Sequence, residues 1–213
     1  MEEFKLGTPA VVCRWRLANG NLPLESRHIR ALAARSEGVP VVTTSLVAWA
    51  KQHIEWTLQD GSAEHPDGVL MLVVDVDGQA AMTVGEYGGL ERTAANDLLT
   101  RAKNAREEAR ASSVSPEDLW VVRDNALVWG TCPEFSASGT SSLVDDLART
   151  LGMPVQRDES LLSTLSAKGF GNDEVFLTSD EHGVVPASDH SGSRAQKFAD
   201  SYRKLLVAKT RRA

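Results

Sequence analysis

The fold is decided by residues 138–186, which read "SGTSSLVDDLARTLGMPVQRDESLLSTLSAKGFGNDEVFLTSDEHGVVP". The segment "GTSSLVDDLARTLG" has apolar residues at helical spacing, and it predicts a helix with a capping box at Ser142 and Asp145 and a left-handed cap at Gly152. "MPV" predicts a short extended piece, residues 159–167 a second helix, and "EVFLT" and "GVV" two strands. This order of elements indicates an α/β fold.

Upstream, the chain divides into two parts. Residues 1–86 predict an N-terminal α+β subdomain. Its strands are "AVVCRWRL", "VLMLVVDV" and "AAMTV", and two helices lie between the first strand and the second. The Gly-rich connection "GEYGG" marks the boundary. Residues 87–213 predict a C-terminal α/β subdomain that opens with a long amphipathic helix, starting at Leu90 and running through "LERTAANDLLTRAKNAREEARA".

Composition and charge restrict the function classes. The net charge of −6 gives no reason to expect nucleic acid as a partner, and the C-terminal "KTRRA" predicts only a solvated tail. No apolar run reaches the roughly 18 residues of a membrane span, and "MEEFKLGTP" does not resemble a signal peptide. Cys13 and Cys132 are isolated, as in a protein of the reducing cytoplasm, which is the expected location.

The most polar segment follows "EVFLT", where Asp180, Glu181 and His182 come directly after a strand. Carboxylates and imidazole in this arrangement could bind a metal, with His190 and Asp189 nearby. Acids and histidines in a connection rich in Gly, Ser and Pro are also typical of a solvated loop. The five tryptophans are expected to anchor the core.

The order of elements resembles the class IV, pyridoxal-phosphate-dependent aminotransferases, a group that includes branched-chain and D-amino-acid aminotransferases and aminodeoxychorismate lyase. The matching pieces are a Gly-Thr entering a helix, "LARTLGMPV", "DEVFLTS" and "VVP", with "VCRWRLANGNLPLESRHIRALAARSEGVPV" in the first half. The resemblance implies mixed sheets flanked by helices, two subdomains that meet at a cleft, a homodimer and a role in amino acid metabolism.

The resemblance also implies a Schiff-base lysine near Ala95 or Asn96, where the sequence reads "ERTAANDLL". Arg92 is the nearest cation, but an arginine stays protonated and forms no aldimine. Lys103 lies about two helical turns away from the position that the resemblance implies for the Schiff-base lysine. Lys168 is the other lysine that could take this role.

Three further positions depart from the family pattern. The family binds the cofactor phosphate with the arginine of a "His-x-x-Arg-Leu" motif, and Ala31 stands at that position here. Arg30 precedes it by one residue, so its side chain is rotated about the helix axis by about 100°. Trp129 stands where the family has a glutamate facing the pyridinium, and an indole carries no negative charge. Asp180 falls where a phosphate-binding threonine is expected, and a carboxylate repels a phosphate. Gly139 and Thr140 remain able to hold an anion at a helix start.

We therefore expect a pseudoenzyme that needs no cofactor and binds a small metabolite, such as an anionic one, or a protein partner in the remnant cleft. One alternative is an active pyridoxal-phosphate aminotransferase or aminodeoxychorismate-type lyase. A second alternative is a different enzyme that uses Asp180, Glu181 and His182, with or without a metal. The residues predicted to line the cleft are Arg92, Asn96, Thr131, Gly139, Thr140, Thr178, Ser179, Asp180 and His182.

Overall fold

A computed structural model describes residues 5–208 of the chain. The basic cluster "KTRRA" lies outside the described residues. The first half forms a three-stranded antiparallel sheet in the order β1–β2–β3, and two helices connect its first two strands. These elements are β1 (Pro9–Arg16), α1 (Glu25–Ala34), α2 (Thr44–Gly61), β2 (Val69–Asp75) and β3 (Ala80–Gly85).

The second half forms a five-stranded sheet in the order β6–β5–β4–β7–β8. Only the β5–β6 pair is parallel among the described strands. The elements are α3 (Ala95–Ser112), β4 (Asp118–Arg123), β5 (Ala126–Trp129), α4 (Gly139–Thr150), β6 (Val155–Arg157), α5 (Leu161–Lys168), β7 (Glu174–Ser179), β8 (Gly183–Pro186) and α6 (Ser193–Ala208). The predicted α/β class is confirmed.

The second sheet is covered on both faces, which explains why its strands are apolar along their length. Alternate side chains of β4 point to opposite faces. Trp120 packs with residues of α4 and α6, whereas Leu119 and Val121 pack with residues of α3 and α5. The layers are therefore helices, sheet and helices, and α4 begins beside the ends of β4 and β7.

Two local predictions were wrong. Ser138, and not Ser142, caps α4: its side chain accepts the N–H of Ser141 at 3.0 Å, and Asp145 instead pairs with Arg149 at 2.7 Å. The long helix begins at Ala95 and not at Leu90. The preceding chain is held extended because the carbonyl of Thr93 accepts the N–H of Ser188, and because Asp189 caps the N–H of Ala95.

The two sheets meet where the backbone N–H of Arg16, the last residue of β1, donates to the carbonyl of Asp180 at 2.9 Å. Asp180, Glu181 and His182 form the turn between β7 and β8. This turn, predicted as a polar edge, therefore lies at the junction of the two halves. Among helices within residues 5–208, none has both the length and the apolar character needed to span a bilayer.

Candidate functional site

The N-terminus of α4 is occupied by a side chain of the protein itself. The carboxylate of Asp180 accepts the N–H of Thr140 at 2.8 Å and the N–H of Gly139 at 3.3 Å. The Asp180 side chain is only 5% exposed. Exposed N–H groups and the helix dipole make such a terminus an anion site. The anion that fills it is Asp180, so these three predicted residues are brought together in one contact.

His28 of α1 completes this contact from the other half of the chain. Its Nδ1 lies 3.3 Å from Oδ2 of Asp180, and its buried ring stacks on Trp15 at a centroid distance of 5.4 Å. A Cβ at Gly139 would lie 2.6 Å from the His28 ring, so only glycine allows this approach. Ala31, one turn further along α1, is buried, whereas Arg30 is exposed as its displacement predicts.

The pKa of Asp180 reflects these partners. Burial alone would raise the pKa, but the nearby imidazole of His28 and the N–H of Thr140 outweigh burial and lower the pKa to about 2. Asp180 is therefore a permanent anion at neutral pH, and it balances the positive end of α4 without help from a ligand.

A second buried carboxyl, which the sequence did not suggest, lies beside the first turn of α4. The hydroxyl of Ser141 donates to Oδ2 of Asp118 at 2.5 Å and lies 2.8 Å from the Thr178 hydroxyl. Trp120 Nε1 donates to the same threonine at 2.9 Å. The pairing of Asp118 with Thr178 across β4 and β7 creates this network. The only local signal was an acid at the start of an apolar strand.

Burial raises the pKa of Asp118 to about 7. The hydrogen bond from Ser141, the nearby indole N–H of Trp129 and the charge of Arg106 oppose this shift, and the negative charge of Asp180 adds to it. Such a carboxyl changes its charge near neutral pH, which is a property found at functional sites.

Asp118 lines a cavity of about 310 Å³. Trp129 forms one wall, with Trp120 stacked on it at 4.6 Å and the guanidinium carbon of Arg157 at 4.9 Å from its ring centre. The buried Nε1–H of Trp129 has no hydrogen-bond partner within the described chain. The other lining residues are Pro116, Thr131, Cys132, Pro133, Phe135, Ser136, Ala137 and Glu159.

His182 belongs to a separate cluster of charges. Arg101 donates to its Nε2 at 2.8 Å, and the Tyr87 hydroxyl lies 3.4 Å from its Nδ1. Burial, followed by the charges of Arg101, Arg16 and Arg14, lowers the pKa of His182 to about 4. The imidazole is therefore neutral at pH 7 and acts as an acceptor. Within the described chain, no group of three or more His, Cys, Asp or Glu residues is arranged to hold a metal.

The remaining predicted residues are dispersed. Thr131 lines the cavity, and Ser179 is buried, with its hydroxyl accepting N–H groups of the turn after β7. Arg92 is 81% exposed and pairs with Asp97 at 2.6 Å. Asn96 is also exposed, on the first turn of α3.

The lysines bear on the cofactor that the resemblance implies. All six lysines within residues 5–208 are exposed, and they are Lys5, Lys51, Lys103, Lys168, Lys197 and Lys204. The ammonium of Lys103 donates to the Ser166 hydroxyl on α5, so this lysine does not point towards Asp180 or Asp118. A Schiff-base lysine needs a desolvated setting that lowers its pKa. None of the six has that setting.

The architecture matches solved structures closely in shape and weakly in sequence. A 4-amino-4-deoxychorismate lyase from Pseudomonas aeruginosa superimposes with a TM-score of 0.64 at 16% identity, covering 96% of each chain. The chain has the fold of the class IV aminotransferases. A hypothetical aminotransferase from Mycobacterium tuberculosis in its PLP-bound form gives 0.61 at 13% identity, covering 98% of this chain and 95% of the other.

A fold IV-transaminase from Curtobacterium pusillum gives a TM-score of 0.54 at 14% identity, covering 99% of this chain and 90% of the other. No protein-family model and no curated protein matches the chain. The shared shape establishes the fold, and function has to be argued from the residues of the site.

Proposed function

We propose that this protein is a class IV aminotransferase fold that does not use pyridoxal phosphate and instead holds a small metabolite or a protein partner in the remnant cleft. The contact between Asp180 and the N-terminus of α4 carries the proposal. A phosphate placed against Gly139 and Thr140 would have to displace a carboxylate that is buried and held by His28. Without displacement, two anions would share one desolvated site, which is strongly unfavourable.

The other positions support the same proposal. Ala31 offers no cation to a phosphate, and Trp129 offers a donor where a ring nitrogen would need a carboxylate. The exposed lysines lack the desolvation that an aldimine-forming amine requires. The residues present therefore do not fit the cofactor.

Neither alternative has comparable support. A metal-dependent enzyme at the Asp180 turn would need His182 as a ligand, but that imidazole already accepts from Arg101. An active pyridoxal-phosphate enzyme would need one of the exposed lysines to enter the cleft. The homodimer and the division near residue 86 stay predictions.

We expect the purified protein to form no internal aldimine when pyridoxal phosphate is added. The measurement is an absorption scan with and without cofactor, then borohydride reduction and peptide mass mapping. Exposed lysines react slowly with any aldehyde, so we expect only scattered adducts that increase in proportion to the cofactor concentration.

A near-visible band that saturates at one equivalent, with a reduced adduct on a single lysine, would overturn the proposal and favour the active enzyme. Lys103→Arg is the matched control, because it retains a donor to Ser166 and cannot form an aldimine. Loss of a saturable band in this variant would identify Lys103 as the reacting residue.

A further inference from the structure

Asp118 differs from the other buried aspartates of the described chain. Asp75 accepts hydrogen bonds from several backbone N–H groups, and Asp145 pairs with an arginine. Asp180 accepts N–H groups at the start of α4 and contacts a histidine. The Ser141 hydroxyl donates to Asp118 and the indole N–H of Trp129 lies nearby, but neither group carries a positive charge. A buried carboxylate without a cationic partner is unfavourable. Asp118 therefore lacks the partner that its charged form requires.

The nearest cation does not supply this partner. The guanidinium of Arg106 donates to the carbonyls of Gly130 and Thr131, each at 3.0 Å, and forms no ion pair with Asp118. Its charge acts on Asp118 only at a distance. Asp118 lines the cavity of about 310 Å³, which is near the lower limit for small-molecule sites.

The charges around the cavity favour a positive ligand. The charged side chains among its lining residues are Asp118, Glu159 and Arg157, which sum to −1 when both carboxyls are ionised. Arg157 is 62% exposed, lies over Trp129 and is 3.7 Å from Asp145, so solvent and a second carboxylate reduce its effect. Trp129, Phe135 and two prolines provide apolar walls for the body of a ligand.

We propose that this cavity binds a small organic cation, with an apolar or aromatic body, whose N–H groups donate to the carboxylate of Asp118. The inference rests on the proposed function and specifies the ligand class. An ammonium or amidinium group would give Asp118 the charge-assisted hydrogen bonds that the protein leaves unmade. The anion site at α4, by contrast, is already filled by Asp180.

The binding should depend on pH through Asp118. The charges of Arg106 from α3 and Asp180 after β7 act on Asp118. Cys132 on the loop after β5, Arg157 at the end of β6 and Glu159 beyond it line the same cavity. Only the ionised form of Asp118 attracts a cation. With a pKa of about 7, about a tenth of Asp118 is ionised at pH 6 and most of it at pH 8. The affinity should therefore rise about tenfold over this interval.

Phenethylamine and phenethyl alcohol are the matched probes, because they differ only in the charged group. Titration calorimetry on the full chain at pH 6 and pH 8 should show the amine binding at least about tenfold more tightly than the alcohol at pH 8. The amine should lose this advantage at pH 6. Protection of the half-buried Cys132 from a thiol reagent would locate the ligand, since Cys13 is buried.

Asp118→Asn keeps the shape and an acceptor for Ser141, and it should bind the amine and the alcohol equally at both pH values. Glu159→Gln, which removes the other carboxyl of the cavity, should retain the pH dependence. Equal affinity of the wild type for both probes, an unchanged preference in Asp118→Asn, or no binding of the amine would overturn the inference. An aldimine band would instead overturn the proposed function, so the two failures are distinguishable.

Discussion

The Asp180→Ala variant should lose about 3–5 kcal/mol of unfolding free energy at neutral pH. The change leaves the N–H groups of Gly139 and Thr140 buried without an acceptor, and it removes the carboxylate that His28 contacts. Urea denaturation followed by circular dichroism measures the loss. Asp146→Ala is the matched control.

Asp146 joins the same two helices, because its carboxylate pairs with Arg27 of α1 at 2.9 Å, but its side chain is 57% exposed. An exposed ion pair of this kind contributes about 1 kcal/mol or less. If Asp180→Ala costs no more than Asp146→Ala, Asp180 does not act as the anion of the α4 terminus.

Acid should reduce the difference between wild type and Asp180→Ala. The folded pKa of about 2 lies below the ordinary value of about 3.9 for aspartate. The Asp180 contribution is therefore complete above the ordinary value and is lost as the pH falls towards 2. Denaturation curves at neutral pH and near pH 3 test this sign, and a gap that widens in acid would contradict it.

Removing the carboxylate should also expose the anion site. Inorganic phosphate should raise the unfolding free energy of Asp180→Ala more than that of the wild type, because a ligand that binds only the folded state stabilises it. Phosphate stabilises most proteins by exclusion from their surface, so the comparison uses both proteins at ionic strength matched with chloride. Equal stabilisation of both would show that the emptied terminus does not bind phosphate.

The sequence was sufficient to predict the fold, because the fold depends on the order of elements and on residue types. Periodicity predicted an α/β protein, and the resemblance of the pieces around "DEVFLTS" implied the class IV fold, which the solved structures confirm. The absence of a suitable lysine, the alanine at position 31 and the tryptophan at position 129 could be read directly from the sequence.

The contacts that define the site could not be predicted, because they join residues far apart in the chain. Asp180 was expected to repel a phosphate, but nothing local indicated that it would cap α4 or meet His28. No sequence pattern predicted a role for Asp118, because its network with Ser141 and Thr178 depends on the pairing of β4 with β7. The predicted capping box at Ser142 and Asp145 was wrong because α4 begins earlier, with Ser138 as its N-cap.

Asp118→Asn should make the protein more stable, and the gain should be larger in mild alkali than in mild acid. The folded pKa of about 7 exceeds the ordinary value of about 3.9, so the folded state retains a proton that the unfolded chain has released. Stability from this group is complete below the ordinary value and falls as the pH rises to about 7. Between pH 5 and pH 8 the wild type should lose about 2–3 kcal/mol relative to Asp118→Asn.

Urea denaturation at the two pH values measures this difference, and a gap that does not change with pH would show that burial leaves Asp118 with an ordinary pKa. Phenethylamine adds a second comparison at pH 8. If Asp118 is kept as a ligand group at the expense of stability, the amine should raise the unfolding free energy of the wild type and have little effect on Asp118→Asn. A carboxyl with only a structural role would give no such difference, because the asparagine preserves its shape and its contact with Ser141.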